Sequence, residues 1–223
     1  EAGNRLHGWF IAPADGGKAV VLISHGNAGN VGSFLPWAKA LTDGGYAVAL
    51  YDYQGYGRSE GEADVGSLAG DGRAAMRWLI DNDHLAGRPL GLLGLSLGTL
   101  VSVKLAGEFE QVSAVALEGA LIPGDELKRK FGVLGAPIAW VLVNQIPDAL
   151  NTAAHIDAVN APLLFIHSER DEVTSIEGAR DLFDKAPEPK QWVIAPGSAH
   201  LSPIIDWAGY GQTLLTFFDR RLA

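Results

Sequence analysis

Ser96 sits two residues from a glycine on either side, in "GLSLG" (94–98), at the end of the apolar run "PLGLLGL" (89–95). A serine hydroxyl is too weakly acidic to attack an acyl carbon unaided. It needs a base within hydrogen-bond reach and a third group to orient that base. In a chain with 28 glycines the bare pattern is weak. Its position strengthens it. Residues 89–95 read as a buried strand and "LGTLVSVKLAG" (97–107) as a helix ended by Gly107, so Ser96 falls on a strand-to-helix turn. Side chains at Gly94 and Gly98 would there collide with the neighbouring strand and helix, and strained backbone would push the hydroxyl out of the sheet.

The partners are expected later in the chain, an acid first and a histidine last, each beyond the carboxyl end of a strand. "IHSERDEVT" (166–174) offers Glu169, Asp171 and Glu172. Asp171 lies far enough past the strand to turn back over the sheet and is the expected acid; the two glutamates read as solvated neighbours. "PGSAHLSP" (196–203) follows the strand at 191–196 and offers His200, the expected base. His7, His84, His155 and His167 are read as structural or solvated. Asp171 would hold the imidazole tautomer and stabilise the imidazolium without taking the proton. Charge developing on a substrate oxygen needs two N–H donors. One is expected from the backbone of Leu97, at a helix N-terminus where the dipole helps. The other is expected from the backbone of Asn27 in "HGNAGN" (25–30), the loop after "AVVLIS" (19–24). This chemistry needs no metal and no organic cofactor.

Such a site requires a scaffold that ends several strands on one edge. Short aliphatic runs recur at 19–24, 46–52, 89–95, 112–118, 162–168 and 191–196, each reading as a buried strand. Between them, "SFLPWAKALTDGG" (33–45) is expected to bury Leu35, Ala38 and Leu41, and "GDGRAAMRWLIDN" (70–82) to bury Ala74, Trp78 and Leu79. Strands alternating with helices predict an α/β fold with a mostly parallel central sheet covered on both faces. The whole chain, 1–223, is expected to form one domain. The interval 119–160 breaks the alternation and reads as a small helical cap, either ordinary helix-to-sheet packing or a lid over a pocket. Glu118, at the end of its strand, could border the site or pair with a nearby cation and is left unassigned, and Lys128, Arg129 and Lys130 read as a solvated helix face.

With a net charge of −9 and no basic tract longer than "KRK", the 223 residues offer no phosphate-binding surface, so no nucleic-acid partner is expected and a small molecule is. The absence of cysteine excludes disulfides, thiolate metal sites and a cysteine nucleophile. No run of eighteen apolar residues occurs, so membrane association is expected only through an upstream anchor, and both cytoplasm and cell envelope stay open. No oligomeric state is assigned.

Taken together, "HGNAGN" (25–30), "DYQGYGRSEG" (52–61) and "GLSLG" (94–98) resemble the α/β-hydrolase superfamily, and more narrowly its small alpha/beta hydrolase domain-containing serine hydrolases. The similarity runs on through "LEGA" (117–120), "APLLFIHSERDEVT" (161–174) and "LFDKAPEPKQWVIAPGSAH" (182–200). It implies an α/β-hydrolase fold, a Ser-His-Asp triad and a chain that starts near the second strand of the family fold. Two departures stand out. Gln54 replaces the usual arginine of "DYRGYG", and Thr99 stands where a smaller residue is common. The implied function is a serine hydrolase, foremost a carboxylesterase acting on short- to medium-chain acyl esters. Its rivals are a thioesterase, including one acting on acylated proteins, and a non-catalytic ligand-binding protein of the same fold.

Overall fold

The computed structural model describes residues 3–123 and 147–222. Its centre is a seven-stranded sheet in the order β1-β3-β2-β4-β5-β6-β7. The strands are β1 (Gly8–Ile11), β2 (Val20–Ser24), β3 (Ala47–Tyr51), β4 (Leu90–Leu95), β5 (Val112–Glu118), β6 (Leu163–Ser168) and β7 (Lys190–Ala195). β1 runs antiparallel to β3, and every other pair is parallel. β2 to β5 are apolar on both faces because both faces are covered, which is why they read as continuous hydrophobic runs rather than alternating ones.

Five helices of eight residues or more lie on the sheet among the described residues: α1 (Leu35–Asp43), α2 (Leu68–Asp81), α3 (Gly98–Glu108), α4 (Ile176–Lys185) and α5 (Tyr210–Arg221). Side chains of α1 and α5 close one core with Val21, Ile23 and Ala116. Those of α2, α3 and α4 close the other with Leu22, Leu92 and Val115. The chain runs from β2 outward to β3, then returns to the other side of β2 as β4. That reversal opens a crevice at the carboxyl ends of β2 and β4, where α/β sheets bind ligands.

The helix faces depart from expectation. In α1, Ala38 and Leu41 are buried, but the third buried residue is Trp37, while Leu35 is 42% exposed. In α2, Leu79 is buried together with Leu68, Ala69 and Met76, whereas Ala74 is exposed and Trp78 is 45% exposed. Trp78 instead stacks on His84, with ring centres 4.0 Å apart, which gives His84 a structural role in the turn after α2. Gly107 does not end α3. It lies inside the helix beside Ala158, at a distance that would also accept a methyl group, and Phe109 caps the end.

Of the interval 119–160, residues 124–146 lie outside the described residues, and with them the Lys128–Lys130 run. Of the remainder, 119–123 leads on from β5, and 147–160 forms short helical turns packed against α3. Among the described residues, no helix is long and apolar enough to cross a membrane.

Candidate active site

Ser96 follows β4 and precedes α3, with φ +52°. That left-handed conformation is uncommon for a residue with a side chain, and here the surroundings enforce it. A Cβ on Gly98 would lie 1.9 Å from the Ser24 carbonyl oxygen, and one on Gly94 would lie 2.8 Å from the Gly98 oxygen and Ser102 Oγ. Strand and helix therefore meet at a distance only glycine allows. The turn is also bonded on both sides. Ser96 N–H donates to the Glu118 carbonyl at 2.8 Å, and the Ser96 carbonyl accepts from Thr99 N–H at 2.9 Å and Thr99 Oγ1 at 2.6 Å. Thr99, the departure from the family pattern, thus holds the turn through its hydroxyl.

The hydroxyl of Ser96 lies 2.9 Å from His200 Nε2, and His200 Nδ1 lies 2.7 Å from Asp171 Oδ2. Residues 104 and 29 positions apart are joined in one line because the loops after β4, β6 and β7 all leave the same edge of the sheet. Asp171 Oδ1 also accepts from Val173 N–H at 2.9 Å and Thr174 N–H at 2.8 Å, and Oδ2 from Thr174 Oγ1 at 2.9 Å. Burial works to raise the pKa of this carboxyl, but the hydrogen bonds from His200, Thr174 and Val173 outweigh it and hold the group below the usual range. An ionised carboxylate only accepts, so Nδ1 of His200 carries the proton and Nε2 presents its lone pair to Ser96. Glu169 is turned away, accepting from Gly197 N–H.

Asn27 and Leu97 both line the cavity into which Ser96 opens. The Asn27 loop is fixed from below. Tyr53 O–H donates to the His25 carbonyl at 2.9 Å, and Tyr56 O–H donates to Asn27 Oδ1 at 2.7 Å. Asp52 accepts from Val31 N–H at 2.7 Å and from Arg58 N–H at 3.3 Å. "DYQGYGRSEG" is thus a buttress for "HGNAGN", with Tyr56 reaching the cavity wall. Gln54 donates its backbone N–H to Asp71 Oδ2 at 2.9 Å, and its side-chain carbonyl accepts from Asn4 Nδ2 at 3.1 Å. Desolvation holds the pKa of buried His25 down, opposed only in part by its bond to the Gly26 carbonyl and by Asp52, so it stays neutral within this framework.

The cavity measures about 410 Å³ and is walled mainly by Val65, Leu68, Leu97, Leu121 and Val173, with Asp64 at its edge. Larger hollows of about 590 and 450 Å³ lie beside β7 and α5 and between β1 and α2; neither touches Ser96. Among the described residues, no cluster of His, Asp and Glu is arranged to hold a metal ion.

Residue patterning left one member of this neighbourhood unassigned. Glu118, at the end of β5, is 1% exposed, and its Oε2 accepts from Trp37 Nε1–H at 2.8 Å and Tyr210 O–H at 2.6 Å. Burial raises its pKa to about 7 against the pull of those two donors and of His200. An acidic residue ending an otherwise apolar strand was its only sequence signal.

Residues 16–152 match the family described as Serine aminopeptidase, S33. The chain is similar to the protein Rv2307c of Mycobacterium tuberculosis, 32% identical over 203 residues that cover 90% of this chain and 70% of that protein. Among solved structures, it resembles the esterase domain of a Rhodothermus marinus protein, with TM-score 0.73 and 25% identity, covering 98% of this chain and all of that one. It also shares its fold with the Pyrococcus furiosus esterase Pf2001, with TM-score 0.79 and 20% identity, covering 99% of this chain and 89% of that one.

Proposed function

Because this chain belongs to the serine aminopeptidase S33 family of α/β-hydrolases and is a serine hydrolase, we propose that it is a carboxylesterase cleaving short- to medium-chain acyl esters through Ser96, His200 and Asp171. The observation that carries this reading is the hydrogen-bonded line of 2.9 and 2.7 Å from the Ser96 hydroxyl through His200 to Asp171. Ser96 Oγ attacks the ester carbon as His200 Nε2 takes its proton. The backbone N–H groups of Leu97 and Asn27 receive the oxygen that becomes negative. His200 then gives its proton to the departing alcohol, leaving an acyl group on Ser96. A water activated by His200 releases the acid and restores the serine.

An apolar cavity of about 410 Å³ suits a compact acyl group. The ester is the first substrate class to test, because an amide's amine leaves only when well protonated, a heavier demand on the acid step. A thioester would use the same groups. The test is a kinetic panel of p-nitrophenyl esters of graded chain length, an acyl-CoA and an aminoacyl anilide, run on wild type and Ser96→Ala. The expected result is highest kcat/KM on short to medium esters, with at least a thousandfold loss in the variant. Turnover of the esters by Ser96→Ala at the wild-type rate would overturn the assignment.

A further inference from the structure

The acyl-transfer steps above leave a buried carboxyl unused. Glu118 ends β5 directly behind the nucleophile turn, and two main-chain contacts tie this strand end to the site, while two donors from α1 and α5 hold its carboxyl. Its carbonyl oxygen accepts from Ser96 N–H at 2.8 Å. Its neighbour Gly119 has φ +60°, and a side chain there would come within 3.0 Å of His200 Cε1 and 3.3 Å of Nδ1, so the main chain at Gly119 lies close to the imidazole. Its carboxyl is clamped by Trp37 from α1 and Tyr210 from α5, both on Oε2, while Oε1 is buried with no hydrogen-bond partner among the described residues. A group that only tied α1 and α5 to the sheet would need no charge; a tyrosine or glutamine would serve. Burying an ionisable oxygen without a partner costs stability, and such costs are retained where the charge acts.

We propose that Glu118 is a positioning residue of the acyl-transfer site, its carboxylate fixed behind Ser96 and His200 so that it favours the positive charge that forms on the imidazole as Ser96 attacks. This rests on the acyl-transfer reading of Ser96 and His200. Glu118 itself neither gains nor loses a proton in the step: the proton leaves Ser96 Oγ for His200 Nε2, and Asp171 and Glu118 respond only through their charge. Among the described residues, the ionisable groups that act on Glu118 are His200, Asp171 and Tyr210; burial keeps Tyr210 neutral. The ionised form of Glu118 is therefore the active one, and it adds to the acid limb of the pH–rate profile.

Two substitutions move that limb in opposite directions. Glu118→Gln keeps an acceptor for Trp37 and Tyr210 but removes the charge. A cation on His200 then forms less readily, so kcat falls three- to tenfold with KM of a neutral ester within twofold, and the acid limb moves to lower pH. Tyr210→Phe removes a donor that favours the carboxylate, so Glu118 holds its proton longer and the acid limb moves to higher pH. Both profiles are taken on protein shown to be folded by thermal melting. Opposite movement supports the proposal; a limb that stays at the wild-type position in either folded variant overturns it. Ser96→Ala in the same assay separates this result from failure of the acyl-transfer reading, which would show as activity surviving without the serine.

Discussion

Asp171 accepts three hydrogen bonds, from Val173 and Thr174, besides presenting itself to the His200 ring, so its orientation is over-determined. Replacing it by Asn leaves the shape but offers His200 Nδ1 an amide that can donate, which favours the wrong tautomer. The expected outcome for Asp171→Asn is a fall in kcat of about ten-thousandfold with little change in melting temperature, read by ester kinetics beside a thermal scan. At Thr99, Val keeps the shape and removes the bond from the hydroxyl to the Ser96 carbonyl. Thr99→Val is expected to lose about 1 kcal/mol in chemical denaturation. The triad candidates were legible in the sequence because each follows a strand and they occur in a fixed order. Glu118 was not, because a carboxylate at a strand end looks the same whether it meets water or, as here, an indole and a phenol brought from 81 and 92 residues away.

The elements were legible to different degrees for a physical reason. Strands β2, β4, β5 and β6 are buried on both faces, so their apolar runs leave little choice of assignment. A helix has one buried stripe, and an aromatic beside it can be drawn to either side. Trp37 turned inward to meet Glu118, while Trp78 turned outward to stack on His84 and pack edge-on with Phe10. A close meeting of the start of α3 with a neighbouring strand was legible from Gly98 once it was placed on a strand-to-helix turn. Gly98→Ala puts a methyl group 1.9 Å from the Ser24 carbonyl oxygen, and backbone cannot yield as a flexible side chain does. The expected loss is roughly 3 kcal/mol in a denaturant titration, with activity falling further than stability because Ser96 shifts with the helix.

Over the whole molecule, the buried carboxyls make stability depend on pH with opposite signs. Glu118 has its pKa raised from 4.5 to about 7, so the folded state binds its proton more tightly than the unfolded chain does. Above about pH 7 both states are ionised and the full cost of burying the charge is present; below about 4.5 both are protonated and that cost is gone. Stability from this group therefore falls as pH rises between those limits, by a few kcal/mol. Asp71, raised by burial, acts in the same sense. Asp171, held below its usual range, acts oppositely: its contribution is present above the unfolded value and lost as pH falls through the folded one. Wild type is expected to melt higher at pH 5.5 than at pH 8, and Glu118→Gln to flatten that slope, as followed by thermal scans across the range.

Acyl transfer by this site requires that Ser96 be the group that becomes acylated. Treating wild type with a fluorophosphonate, digesting it and mapping the adduct by mass spectrometry tests this directly. The expected result is one phosphonylated peptide carrying the label on Ser96, absent from Ser96→Ala and formed far more slowly in His200→Ala. A label on a different residue, or ester turnover by a protein whose Ser96 never reacts, would contradict it.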